Sequence, residues 1–227
     1  MYHVVVAGGT GLVGAEMIRL LKERTDVRVT ALVRRPSGLS CPPVVTEFIF
    51  DFAMNGAYTA IGSEAMPCDI LLCAIGTTLR QAGGQAAFAA VDRDIPLRLA
   101  TALARNNQKA VFGFVSSVGA DRPRGFYLQT KAEVEAGLAA LGLAHVLARP
   151  SLLLGRHAEP RPIEQLLAHL LPPLFNMSDV FGLKHHATLQ RYRPISATQV
   201  ATALLQHTLD HNVQGREVIE GEGFYHA

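Results

Sequence analysis

Tyr127 and Lys131 stand four residues apart in "GFYLQTKAEVEAGL", residues 125 to 138. On a helix that spacing is slightly more than one turn, so phenol and ammonium are neighbours on one face. A free tyrosine titrates at about 10, and a neighbouring positive charge favours its phenolate, so the pair suits proton transfer to or from an oxygen. A second cluster, Gly8-Gly9-Thr10-Gly11-Leu12-Val13-Gly14, lies near the N-terminus. Its glycines at 8, 11 and 14 offer a sharp exit from a strand, a bare backbone for a pyrophosphate, and close packing of helix on sheet. The helix start beyond them presents unpaired N–H groups and a partial positive charge to phosphate. Gly8, Thr10, Gly11, Leu12, Val13 and Gly14 are therefore the candidate phosphate contacts.

About twenty residues further on, a NAD-binding fold would present an acid to the ribose 2′-hydroxyl; this chain has Arg34 and Arg35. Arginine forks match a phosphate well and an unmodified hydroxyl poorly, so the expected cofactor is NADPH. Asp51, at the end of the third expected strand and followed by Phe52, is placed to accept a bond from the adenine amino group or to serve as a plain loop acid. His185-His186 has no further ligands at useful spacing, and no metal is expected. Cys73 reads as core packing. Ser116-Ser117 lacks the GxSxG elbow of an α/β hydrolase.

These residues need a scaffold, and the chain supplies an alternating one. "HVVVAGG", "VRVTALVRR", "VVTEFIFDF", "CDILLCAIG", "AVFGFVSS" and "AHVLARPSLLLG" read as strands. Between them "LVGAEMIRLLKER", "AAFAAVDRDIPLRLATALARNN" and the segment holding Tyr127 show helical periodicity. Parallel strands need crossover connections, usually helices, so this order predicts an α/β fold with a doubly wound parallel sheet over residues 1–155. Residues 156–227 are expected to add a small C-terminal lid of the same domain. There "RPIEQLLAHLLPPLF" predicts a helix stopped by Pro172 and Pro173, Ser196 and Gln199 form a capping box, and "REVIEG" is a closing strand. Lid residues Leu152, Phe175 and Tyr192 suggest an apolar pocket.

The 227 residues suffice for one large domain, and their 49% hydrophobic and 18% charged content is that of an ordinary globular protein. A formal charge of +2, with no basic cluster denser than Arg34-Arg35 or Arg191/Arg193, gives no reason to expect nucleic acid. Three cysteines without CxxC spacing fit a reducing compartment. No apolar run approaches the roughly 18 residues of a membrane span, and no basic segment precedes the first apolar one. The expectation is a cytoplasmic protein without a membrane partner, acting on a small molecule.

With GxxGxxG at the first turn, "SSVGA" after the fifth strand and YxxxK on the next helix, the chain resembles the short-chain dehydrogenase/reductase superfamily. "CAIGTT", "VDRD", "SSVGAD" and "YLQTKAEVEAGL" are similar to its atypical branch, the Tat-interacting oxidoreductase-like proteins. The resemblance implies an NAD(P)-dependent oxidoreductase in which Tyr127 protonates a carbonyl oxygen as hydride arrives. It implies that Lys131 holds the nicotinamide ribose and tunes the phenol, and that Ser117, or Ser116 one register away, hydrogen-bonds the substrate oxygen. Pro150 and Ser151 would meet the nicotinamide carboxamide, and Gly76 and Thr77 would pass under the cofactor. Asp92 and Asp94 stand where extended relatives carry Asn, so no proton relay through that amide is expected. A second reading stays open: a non-catalytic NADPH-binding sensor that engages a protein partner.

Overall fold

The computed structural model describes residues 1–154, 191–210 and 213–225. Seven parallel strands form one sheet: β1 (Tyr2–Ala7), β2 (Val27–Val33), β3 (Val45–Ile49), β4 (Ile70–Cys73), β5 (Val111–Val115), β6 (Ala144–Arg149) and, last in sequence, β9 (Arg216–Glu220). Their spatial order is β3-β2-β1-β4-β5-β6-β9. The order reverses between β1 and β4, and at such a switch point the loops diverge and leave a crevice at the strands' carboxyl ends. The expected doubly wound sheet is what forms.

Its central strands are β-branched and apolar because both faces are covered. All four residues of β4 are buried. On one face lies α1 (Leu12–Leu21), which buries Val13, Met17, Ile18 and Leu21, beside α6 (Ala197–Leu205), which buries Val200, Ala201 and Leu204. On the other face lie α4 (Ile95–Asn106) and α5 (Phe126–Ala140), which contribute Leu99, Leu103, Val134 and Leu138 to a second cluster. Short helices α2 (Leu79–Ala82) and α3 (Gln85–Ala89) follow β4, and a 3-10 turn spans Asn55–Ala60.

Two expected elements differ in detail. The helix read continuously from Ala86 to Asn107 is α3 and α4 joined by a wide π turn at Ala90–Asp94. Pro96 causes a conflict there, since it lacks an N–H and its ring crowds the carbonyl four residues back, that of Asp92; widening the turn relieves it. The strand read across "AHVLARPSLLLG" ends at Arg149. Beyond Pro150 the chain turns off the sheet, and Leu153–Leu154 (β7) pairs instead with Ile195–Ser196 (β8). The capping box at the start of α6 is complete, with Gln199 N–H on Ser196 Oγ at 3.1 Å and Ser196 N–H on Gln199 Oε1 at 3.1 Å. The helix expected over 161–175, with Phe175, and His185-His186 lie outside the described residues. The described part of the expected C-terminal lid, α6 and β9, packs into the domain itself.

Candidate active site

The crevice begins at the turn after β1. Gly8 has φ +90°, and a Cβ there would lie 2.6 Å from the carbonyl carbon of Ala74 at the end of β4. A Cβ on Gly14 would lie 2.1 Å from the Gly8 oxygen, so α1 approaches the turn at a distance only glycine allows. Gly11 N–H closes the turn on Gly8 O at 2.9 Å. Gly11 also caps α1 without a side-chain bond, and the first turn carries no acid, so its N–H groups stay available to an anion. Thr10 and Gly11 are exposed, Leu12 is half-buried, and Val13 is buried and offers only its backbone. This donor set fits a dinucleotide pyrophosphate.

Arg34 and Arg35 follow β2, exposed, and neither makes an ion pair among the described residues. Asp51 is exposed too, with its Oδ1 accepting the Ala53 N–H at 2.9 Å, and Phe52 packs its ring 4.8 Å from that of Phe50.

On α5 the two candidate residues have opposite surroundings. Tyr127 is 41% exposed, its ring centroid 5.9 Å from that of buried Phe88. Lys131 is buried, with Nζ 3.1 Å from Asp92 Oδ1 and 5.1 Å from the centre of the Phe114 ring. The other Asp92 oxygen accepts the Thr77 N–H at 2.8 Å, and a Cβ on Gly76 would sit 3.3 Å from Oδ1. One carboxylate thus joins the π turn, the end of β4 and the lysine of α5. Cys73 lies beneath, and burial pushes its thiol up to about 11, which keeps it a neutral packing group.

The two serines after β5 are also distinct. Ser116 is buried and donates to Glu135 Oε1 at 2.6 Å. Ser117 is half-buried, and its hydroxyl makes one long contact, 3.4 Å to the Val118 carbonyl. The ladder between β5 and β6 runs on past the strands, with Ser116 N–H on Ala148 O at 2.7 Å and Val118 N–H on Pro150 O at 2.9 Å. Ser117 and Pro150 are therefore brought side by side. Ser151 donates its hydroxyl to the Arg193 carbonyl. A cavity of about 580 Å³ between α4 and the 3-10 turn, lined by Tyr58, Arg98 and Arg105 among others, includes neither the glycine turn nor α5.

The model of the NAD dependent epimerase/dehydratase family matches residues 4–176. The chain belongs to this family. It is an NAD(P)-dependent enzyme of the oxidoreductase type. Among similar proteins, one of Candida albicans named Protein FMP52, mitochondrial, is 30% identical over 169 residues, 73% of each chain. One of Aspergillus fumigatus with the same name is 33% identical over 173 residues, 74% of this chain and 73% of the relative. The fold is that of UDP-glucuronic acid 4-epimerase from Bacillus cereus in complex with NAD, with TM-score 0.70 at 12% identity over 97% of this chain and 78% of the other. UDP-glucose 4-epimerase from Thermus thermophilus, also with NAD, gives TM-score 0.70 at 17% identity over 96% and 77%.

The expected cytoplasmic location is corrected by the fungal relatives, which are named mitochondrial. Unpaired cysteines indicate a reducing environment, and that property does not single out the cytosol. The narrower likeness to Tat-interacting oxidoreductase-like proteins rests on the quoted motifs alone. Among the described residues of this epimerase/dehydratase family member, no group of three His, Cys, Asp or Glu is placed to hold a metal ion, and no helix is long and apolar enough to cross a membrane.

Two site residues of the family member escaped the sequence reading. Glu135 accepts from Arg149 Nε at 2.9 Å and from Arg216 at 3.2 Å as well as from Ser116, and so ties α5 to the ends of β5, β6 and β9. Arg149 in turn lies 3.5 Å from Glu220, which also pairs with Arg191. The available signal was spacing: Glu135 is one turn beyond Lys131, hence on the same inward face.

Proposed function

We propose that the chain is an NADPH-dependent oxidoreductase that reduces a carbonyl or related group on a small, largely apolar substrate, with Ser117, Tyr127 and Lys131 as its working groups. The observation that carries this reading is the asymmetry on α5: an exposed phenol stands one turn from a buried, anchored ammonium. Gly8, Thr10, Gly11, Leu12, Val13 and Gly14 bind the pyrophosphate, and Arg34 and Arg35 take the 2′-phosphate. Asp51 and Phe52 border the adenine. Gly76, Thr77, Pro150 and Ser151 would line the nicotinamide end, and the cofactor, when bound there, would supply the hydride for the carbonyl carbon. Tyr127 gives its proton to the carbonyl oxygen, which becomes the alcohol. The Ser117 hydroxyl donates to the same oxygen as it gains negative charge. Lys131 orients the ribose and keeps a positive charge near the phenol.

A second reading, an NADPH-binding sensor that engages a protein partner, draws on one observation: the Lys131 ammonium is already engaged by Asp92. A screen of NADPH oxidation against a carbonyl library separates the two. The enzyme reading predicts turnover of at least one carbonyl; tight NADPH binding with no turnover across the library favours the sensor.

A further inference from the structure

Glu47 is an acid within the apolar edge strand β3, where it lies in register with Ala31 of β2. Its carboxylate accepts the Ser37 N–H at 3.0 Å, the Ser37 hydroxyl at 2.9 Å and the Leu39 N–H at 2.5 Å. Between those residues Gly38 adopts φ +77°, with nothing within 4 Å of a Cβ there, so the left-handed turn lets both flanking N–H groups reach one anion. These bonds hold the Glu47 carboxyl below the usual carboxylate range. The loop so captured runs from Arg34 and Arg35 directly into Ser37. Its far end folds back on the phosphate turn, where the Leu39 side chain lies 3.1 Å from the position of a Cβ on Gly9.

We propose that Glu47 is a specificity-determining positioning residue: by clamping the 36–40 loop against the glycine-rich turn, it fixes Arg34 and Arg35 where an adenosine 2′-phosphate binds. The inference rests on the NADPH reading above and deepens it. Free loops lose affinity to the entropy of ordering, and an arginine fork repays that cost only when its backbone is already in place. A carboxylate saturated by loop donors performs that ordering before the cofactor arrives. Glu47 touches no cofactor atom in this account, so its effect must pass through the arginines.

The test is calorimetric titration of the whole chain with NADP⁺ and with NAD⁺, in the native protein, Glu47→Gln, Glu47→Ala, Arg34→Ala/Arg35→Ala and the triple variant. Glu47→Ala should weaken NADP⁺ by about tenfold and leave NAD⁺ within about twofold, with Glu47→Gln between, since the amide keeps one acceptor oxygen. In the arginine-free background Glu47→Ala should add nothing, because the interaction it supports is gone. Equal losses for both cofactors would assign Glu47 a merely structural role and overturn the proposal, as would undiminished NADP⁺ preference in Glu47→Ala. A native protein without preference for NADP⁺ overturns the NADPH reading itself, which is a separate and recognisable outcome.

Discussion

Lys131 Nζ and Asp92 Oδ1 lie 3.1 Å apart, with the two side chains only 5% and 2% exposed. An ion pair so far from water is costly to break on one side, because the remaining charge stays buried without compensation. Lys131 points into the protein rather than onto a solvated helix face, while Tyr127 is 41% exposed.

Asp92→Ala should therefore destabilise the fold by about 3–5 kcal/mol, a cost that includes the loss of the Thr77 contact. Lys131→Met should cost a similar amount, and the double variant much less than the sum, because neither charge is then stranded. Urea denaturation of the four proteins measures this coupling. A loss below about 1 kcal/mol in Asp92→Ala would mean that the pair is solvated in solution.

The two serines should separate cleanly. Ser116→Ala removes a hydrogen bond to a buried carboxylate and should cost about 1–3 kcal/mol of stability while leaving turnover of the folded protein largely intact. Ser117→Ala should change stability by less than about 0.5 kcal/mol and lower turnover by about a hundredfold. Thermal melts beside steady-state rates distinguish them, and the opposite pattern would move the substrate-facing role to Ser116.

Buried thiols give the fold an alkaline dependence. Cys73 titrates at about 11 in the folded chain, raised by burial, against about 8.5 for a free thiol. The folded state thus binds more protons through this window, so the contribution is fully present below about pH 8.5 and is lost as pH rises toward about 11, at up to roughly 1.4 kcal/mol per pH unit. Cys68, raised in the same direction by burial, adds to it. Denaturation at several pH values should show native stability falling faster above pH ~8.5 than that of Cys73→Ala. In the native protein a thiol reagent at neutral pH should modify exposed Cys41 and spare the two buried cysteines.

The fold was readable because its signals are local. β-branched runs, the glycine spacing and the Ser196–Gln199 box each act within a few residues, and all three form as read. What escaped depends on partners far along the chain. Asp92 meets Lys131 from 39 positions away, and Glu135 on α5 meets Arg149 at the end of the next strand, β6, so each carries a charge that composition alone assigns to solvent. The π turn was hidden for a different reason: a single π turn adds only one residue to otherwise α-helical spacing, and only the conflict between Pro96 and the Asp92 carbonyl marks the place. Tyr127, Lys131 and Ser117 were visible as a motif; that Ser116 is taken by Glu135 was not.

In the proposed reaction Tyr127 transfers the proton that accompanies hydride transfer. The most direct test is single-turnover oxidation of bound NADPH by a carbonyl substrate drawn from the screen, in the native protein and in Tyr127→Phe, with NADPH affinity measured alongside. Tyr127→Phe should bind NADPH within about twofold of native, keep its stability and lose at least about a hundredfold in rate, since the lost proton acts only in the transition state. A Tyr127→Phe protein that binds NADPH normally and oxidises it at a near-native rate would contradict that role for Tyr127.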